Sequence, residues 1–142
     1  MDEHWNRWQL RRWLTQARYD REAAKRSACM GHFDWACFQA QRAAGKALKG
    51  YLYSHGWRMV ACDSLARLLP ACEAIAPEFE QVAAAQALDR YCQPGREPYG
   101  SPGPARDERY HKERAEQCIS WATAVIELVE RLSSTGELAL AG

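Results

Sequence analysis

Cationic and aromatic side chains alternate through one segment in the second half of the chain. Arginine guanidinium groups pair with phosphate oxygens and aromatic rings stack on bases, so this mixture suits a nucleotide or RNA ligand. The candidate ligand-binding residues of this segment are Arg90, Tyr91, Arg96, Tyr99, Arg106 and Tyr110. In the alternative interpretation, Tyr91 and Tyr110 belong to the core and the arginines are solvated. Both interpretations fit the pattern.

Lys46 is a further candidate ligand-binding residue, in the middle of an alanine-rich stretch. Together with Gln41 it stands on a face of the predicted helix other than the apolar one. A polar pair in this position borders a groove or is solvated, and we expect the pair to be solvated.

Metal sites and common catalytic motifs are not indicated. No two of the four histidines share a helical face at ligand spacing, and the six cysteines form no C-x-x-C pair. Gly95, Gly100 and Gly103 are interleaved with prolines and lack the strand-turn-helix context of a phosphate-binding loop. We therefore expect no metal and no cofactor.

The net charge of +1 excludes a strongly basic protein that coats nucleic acid. The charge is uneven, however, because the predicted first helix carries many more basic than acidic side chains. Its basic residues are Arg7, Arg11, Arg12, Arg18, Arg21, Lys25 and Arg26, and its acidic residues are Asp20 and Glu22. This helix either pairs with acidic faces of other helices or presents a basic surface to phosphate groups.

The length of 142 residues suits one domain, which we place at residues 1–134, followed by a flexible tail at residues 135–142. No apolar run approaches the roughly 20 residues of a membrane-spanning helix, and the first residues lack the apolar segment of a secretory signal. All six cysteines stand where a helical pattern favours an apolar or small residue, so we expect buried, reduced thiols. These features predict a cytoplasmic protein that does not associate with membranes.

Apolar residues at helical spacing predict an all-α fold, an antiparallel up-and-down bundle of four to five helices. The predicted helices cover residues 5–30 and 33–55, a stretch that opens after Asp63 as N-cap, a stretch from Pro77 to Tyr91, and residues 109–133. The alanine-rich second helix should be central, because small side chains let neighbouring helices approach closely. Residues 94–104 are rich in Pro and Gly and form the loop before the last helix.

The predicted helices have inner apolar stripes that can be read from the sequence. The stripe of the first helix consists of Trp5, Leu10, Trp13, Leu14, Ala17, Ala24 and Ala28. The stripe of the fourth consists of Phe79, Val82, Ala83, Ala87, Leu88 and Tyr91. Tryptophans at helical spacing are more often core residues than ligand platforms.

Several segments of this pattern resemble the HEPN family. They are Trp13-Leu14-x-Gln16-Ala17-x-x-Asp20, the stretch from Gly31-x-Phe33 through Gln39-Ala40-Gln41 to Lys46-Ala47-Leu48-Lys49, Leu88-Asp89-x-Tyr91, Arg96-x-Pro98 and Tyr110 ahead of Ala115-Glu116. The chain departs from the family pattern at Gly45, where Glu is common, at Asp63, where His is common, and at Glu97, where an aromatic residue is common.

The resemblance covers about residues 10–133 and implies a helical bundle that binds nucleotides or RNA. It further implies a homodimer, and a minimal nucleotidyltransferase as partner in a toxin–antitoxin-like pair.

Ribonuclease members of the broader HEPN group carry an Arg followed four to six residues later by a His, and Arg106 and His111 have this spacing. In such a site the His acts as general base or acid on the ribose 2′-hydroxyl, and the Arg stabilises charge on the phosphate. On one continuous helix the two side chains would lie roughly 140° apart, so Arg106 must stay in the loop or the site must form across a dimer. A metal-independent ribonuclease is thus the alternative function, with solvated loop residues or a helix cap as the structural interpretation. A non-catalytic interaction module is the third possibility.

Overall fold

The computed structural model describes the backbone of residues 2–92 and 108–141, and the side chains of residues 2–92 and 111–134. Within these ranges the chain is helical and contains no strand. The elements are α1 (Glu3–Cys29), α2 (Phe33–Ser54), α3 (Leu65–Ile75), a 3₁₀ helix (Pro77–Tyr91) and α4 (Glu108–Ala141). The predicted all-α bundle is confirmed. Because α4 continues past the predicted end at Ser133, the boundary between a domain and a tail at residue 134 stays a prediction.

Helices α1 and α2 form an antiparallel hairpin joined by three residues. The amide of Met30 donates to the carbonyl of Arg26 at 3.1 Å, which closes the last turn of α1. Gly31 follows with a φ of 82°, in the left-handed region that favours glycine. The short connection keeps the two helices side by side along their length.

Helix α2 packs against all four other helical elements in the described part of the chain. Five of its alanines are fully buried, at positions 36, 40, 43, 44 and 47. A side chain at Gly50 would lie 2.9 Å from the Cβ of Trp13, so the absence of a Cβ there allows α1 to approach closely. The predicted central helix is confirmed.

The fourth helical element is a 3₁₀ helix with a kink at Val82, where φ is −112° and ψ is 19°. Its buried apolar residues and the half-buried tyrosine at its end recur every three positions, as the three residues per turn of this geometry require. They are Phe79, Val82, Ala85, Leu88 and Tyr91. The prediction of an α-helical stripe was wrong at Ala83, which is exposed, because the α-helical period puts the wrong residue inward.

Trp5 was also wrongly predicted to face the core, since 41% of it is exposed. At about 100° per residue it lies roughly 140° around α1 from the buried Leu10. Trp13 is half-buried, and its ring stacks on Tyr53 of α2 with a centroid distance of 5.7 Å. The inner stripe of α1 is therefore carried mainly by aliphatic residues.

The six cysteines are free, but only three of them are buried. Cys37, Cys72 and Cys118 lie in the core, and burial raises the pKa of Cys72 to about 12. The thiols of Cys37 and Cys118 are hydrogen-bonded across α2 and α4, which together with burial raises the pKa of Cys118. Cys29 and Cys92 are exposed because they lie at the ends of elements, so the prediction of burial was wrong for these two.

Among the described residues, no helix combines the length and the apolar character that crossing a membrane requires.

Ala44→Leu should lower the free energy of unfolding by about 1–3 kcal/mol, because no space exists for three more carbon atoms beside a fully buried residue. Ala74→Leu is the matched control, since Ala74 is exposed on α3. Urea unfolding of both variants measures the effect. Equal stability of Ala44→Leu and wild type would contradict the central position of α2.

Candidate functional site

Asp89 caps the N-terminus of α3 from a distance in sequence. Its carboxylate accepts hydrogen bonds from the amides of Leu65 at 2.8 Å and Ala66 at 3.0 Å, and from the Ser64 hydroxyl at 3.0 Å. These amides belong to the first turn of α3, where backbone donors have no partners within the helix itself. The predicted N-cap role of Asp63 was wrong, because a residue of the 3₁₀ helix performs it.

Gln41 connects this cap to α2. Only 1% of its surface is exposed, and its amide donates to the Asp63 carbonyl at 2.9 Å and to Asp89 Oδ1 at 3.4 Å. The expectation that Gln41 is solvated was wrong. Helix packing keeps water from the Asp63 carbonyl and from Asp89 Oδ1, and the buried amide of Gln41 donates to both of them instead.

Lys46 pairs with a carboxylate of the neighbouring helix. Its Nζ lies 2.6 Å from Asp20 Oδ2, and both side chains are mostly buried. The pair connects α1 to α2 in the middle of the hairpin. The structure thus gives Lys46 a contact within the bundle, and its role in ligand binding stays a prediction.

Asp63 lies between two further cations of α2. Lys49 donates to its carboxylate, and Arg42 Nη1 lies 3.2 Å from it. The hydrogen bond from Lys49 holds the pKa of Asp63 below its ordinary value, with Arg42 acting in the same direction. The α2 cations Arg42, Lys46 and Lys49 are therefore all paired with carboxylates.

Tyr91 and α4 meet through Arg114. The guanidinium Nε donates to the Tyr91 hydroxyl, and its central carbon lies 5.8 Å from the centroid of the tyrosine ring. Burial raises the pKa of Tyr91, so its hydroxyl is protonated at neutral pH although the bond from Arg114 acts in the opposite direction. The contact joins the last residue of the 3₁₀ helix to the early turns of α4.

His111 shares a face of α4 with Arg114, because residues three apart on an α-helix are neighbours. Its side chain is half-buried, whereas Arg90, which precedes Tyr91 in the sequence, is exposed. Among the predicted site residues, the structure thus brings Tyr91, Arg90 and His111 to one end of the bundle. We call Arg90, Tyr91, His111 and Arg114 the α4-end cluster.

The other predicted site residues cannot be placed in this cluster. Arg96, Tyr99 and Arg106 lie outside the described residues, as does the side chain of Tyr110, whose backbone is part of α4. The described residues contain no group of three or more His, Cys, Asp or Glu side chains that could hold a metal ion.

Most basic side chains of α1 have carboxylate partners. Arg18 donates to Glu130 of α4 at 2.6 Å and 3.0 Å, and these two residues line a groove of about 320 Å³ between α1 and α4. Glu22 lies near both Arg21 and Lys25, at 3.6 Å and 3.4 Å. Glu130 is the acidic partner from another helix in these pairs, so the bundle offsets only part of the positive charge on α1.

The HEPN domain family model matches residues 10–132 of the chain. The chain belongs to the HEPN family. It is similar to the crystal structure of an HEPN domain protein from Thermotoga maritima, with 29% identity, a TM-score of 0.71, and coverage of 87% of this chain and 98% of that one. The crystal structure of a Thermus thermophilus protein has 34% identity and a TM-score of 0.66, over 86% of this chain and 96% of that one. An archaeal HEPN homologue has 27% identity and a TM-score of 0.65, over 87% and 96%. No curated protein matches the chain.

Sequence reasoning missed two residues of this HEPN bundle. No local signal indicates the capping role of Asp89, because the amides that it caps are more than twenty residues away in the sequence. Arg114 was not singled out, although its position three residues after His111 is a helical spacing that could have drawn attention to it.

The Asp63 pairings predict a pH-dependent contribution to stability. Because the pKa of Asp63 is lower in the folded state than in the unfolded state, its contribution is present above the unfolded pKa of about 4 and is lost as pH falls through the folded value. Asp63→Asn should therefore be less stable than wild type at neutral pH, and the difference should shrink in acid. Urea unfolding at pH 7 and at about pH 3 measures it, and a difference that stays constant with pH would contradict the pairing.

Proposed function

We propose that this HEPN protein binds a nucleotide or RNA at the α4-end cluster. The observation that carries the proposal is the contact of Arg114 with Tyr91, which joins the two ends of the segment that holds Arg96, Tyr99 and Arg106. The segment that carries the cations and rings predicted to bind phosphate and base therefore begins and ends at one place on the bundle.

The charges around the cluster support an anionic ligand. Arg90 is exposed and has no ion pair with a described residue, in contrast to the cations in the middle of α2. Tyr91 keeps a protonated hydroxyl and an aromatic ring beside a guanidinium group. Guanidinium groups suit phosphate oxygens, and an adjacent ring offers a stacking surface.

The family also supports two protein partners, which we include in the proposal. One is a second copy of this chain, and the other is a minimal nucleotidyltransferase that together with it forms a toxin–antitoxin-like pair in the cytoplasm. The alanine-rich face of α2 is buried by the chain's own helices, so a homodimer must use other apolar residues. Met30 and Trp35 are exposed to 72% and 48%, and they supply such a surface near the connection between α1 and α2.

Arg114→Ala should weaken nucleotide or RNA binding by about tenfold or more. The variant loses the charge-assisted hydrogen bond that the guanidinium group would donate to a phosphate oxygen, and it loses the cation beside the Tyr91 ring. The loss should shrink as salt is added, since phosphate contacts are screened. Fluorescence anisotropy with labelled RNA and with a labelled nucleotide measures the affinity. Arg67→Ala is the matched control, because Arg67 is exposed on α3.

Binding to wild type that Arg114→Ala leaves unchanged would contradict the proposed site. Melting curves of each variant separate a loss of ligand contact from a loss of fold.

RNA cleavage is the second candidate function, and the position of His111 favours it. His111 lies three residues before Arg114 in the early turns of α4, so a base and a cation are side by side there even without Arg106. In this function His111 removes the proton of the ribose 2′-hydroxyl, whose oxygen attacks the adjacent phosphate, and the arginine stabilises the charge that develops there. The P–O5′ bond then breaks, leaving a 2′,3′-cyclic phosphate and a 5′-oxygen that takes up a proton from the imidazolium. A third class, an interaction module without ligand, would show neither binding nor cleavage.

If the protein is a ribonuclease, His111→Ala should abolish cleavage while binding survives, because a general base acts on the transition state. If it only binds, wild type should leave RNA intact and His111→Ala should change affinity by no more than a few-fold. A time course with labelled RNA, run beside the binding titration, distinguishes the two. His55→Ala is the control for removal of an imidazole, since His55 is exposed at the end of α2.

A further inference from the structure

Large apolar side chains are exposed together at the end of the bundle opposite the α4-end cluster. This end contains the first turns of α1 and the segment that follows α2. Exposed fractions are 41% for Trp5, 42% for Trp8, 45% for Trp57 and 89% for Met59. Single exposed apolar residues are common on protein surfaces, whereas contiguous apolar patches mark interaction sites.

The tryptophans are interleaved with arginines. The rings of Trp5 and Trp8 have a centroid distance of 5.1 Å, and the guanidinium carbon of Arg12 lies 4.8 Å from the Trp8 ring. Arg58 Nη1 donates to Asn6 Oδ1 at 3.1 Å, so the segment after α2 lies beside the first turns of α1. The Trp57 amide donates to the Leu52 carbonyl at 3.1 Å, which fixes the backbone of this segment while the ring stays exposed.

These arginines differ from the paired cations Arg18, Lys46 and Lys49 of α1 and α2. Arg12 and Arg58 donate to neutral oxygens, of Gln9, Asn6 and the Trp57 backbone, and have no carboxylate partner among the described residues. Glu3, the acidic side chain in the first turn of α1, lies 3.8 Å from Arg7 instead. Two cations therefore remain uncompensated beside three exposed indoles.

The backbone conformation of Met59 is a further indication that this segment binds a partner. Its φ is 56°, in the left-handed region that non-glycine residues seldom adopt, and its side chain is almost fully exposed. An uncommon backbone conformation that buries nothing is typical of a binding segment.

We propose that Trp5, Trp8, Arg12, Trp57, Arg58 and Met59 form a docking surface for single-stranded RNA. Indole faces stack on unpaired bases, and guanidinium groups without carboxylate partners take the phosphates. An A-form duplex fits poorly, because its bases are stacked internally and offer no faces to the indoles. The surface is distinct from the α4-end cluster and does not depend on it, since Trp57 follows the C-terminal end of α2 whereas Tyr91 lies near Cys37 at its N-terminal end.

The test is anisotropy with labelled single-stranded RNA of about ten nucleotides, at several salt concentrations. Trp8→Ala and Trp57→Ala should each weaken binding roughly 5- to 100-fold, the range expected for loss of one stacked base, without changing the salt dependence. Arg12→Gln should also weaken binding, and it should reduce the slope of log affinity against log salt by about 0.7. Tyr19→Ala is the matched control, because Tyr19 is an exposed aromatic residue in the middle of α1, away from both ends of the bundle.

Competition and association complete the test. A duplex of the same length, or polyglutamate, should compete much less well than the single strand. Equal competition by either would overturn the proposal, because the surface would then recognise charge alone. Light scattering that shows a wild-type dimer and a Trp8→Ala monomer would also overturn it, because a second copy would then cover the surface.

The result also separates this surface from the proposed site. Loss of single-strand binding in Arg114→Ala but not in Trp8→Ala would support the α4-end cluster and overturn the docking surface. The reverse result would support the docking surface alone. Substitutions of these exposed residues should leave the melting curves unchanged. Trp5→Phe keeps an aromatic ring and should therefore retain binding.

Discussion

The carboxylate of Asp89 joins three helical elements, and the path of the chain after α2 depends on it. It supplies acceptors to the first turn of α3, it receives a hydrogen bond from Gln41 of α2, and it belongs to the 3₁₀ helix. Because α3 has only 11 residues and no side-chain cap of its own, its first amides would otherwise lack partners where packing limits access of water.

Small side chains on α2 produce the second constraint. Alanines and Gly50 allow other elements to approach this helix so closely that little room is left for its polar residues. Lys46 and Lys49 therefore lie against carboxylates from α1 and from the segment before α3, rather than in solvent. Closely packed cations with fixed partners hold helices in register, but they have less freedom to bind phosphate than cations without a partner.

The parts of the fold that depend on local periodicity could be predicted from sequence. The limits of α2, its alanine face and the hairpin at Gly31 follow from spacing and from one glycine. The 3₁₀ geometry was missed because the residues from Phe79 to Tyr91 fit a period of three and, nearly as well, one of 3.6. The Asp89 cap and the Lys46–Asp20 pair could not be predicted, since both join residues that only the tertiary fold brings together.

The candidate site shows the same division. Residue type alone points to Tyr91 and His111, whereas the contact of Tyr91 with Arg114 spans 23 residues of sequence and depends on the tertiary fold. Charge alone likewise points to Lys46, but its pairing with Asp20 depends on the tertiary fold, and its role in ligand binding stays a prediction. Arg96, Tyr99 and Arg106 stay predictions from pattern alone.

The middle of this HEPN bundle therefore differs from its two ends in whether these cations are paired with carboxylates. In the middle, Arg18, Lys46 and Lys49 each face a carboxylate of another segment. At the ends, Arg90 and Arg12 have no carboxylate partner among the described residues, and each has aromatic residues next to it in space or sequence. Helix α2 has 22 residues, so the two ends are separated by about 33 Å at 1.5 Å per residue. A ligand that contacts both ends must be a polymer, whereas a mononucleotide can occupy only one of them.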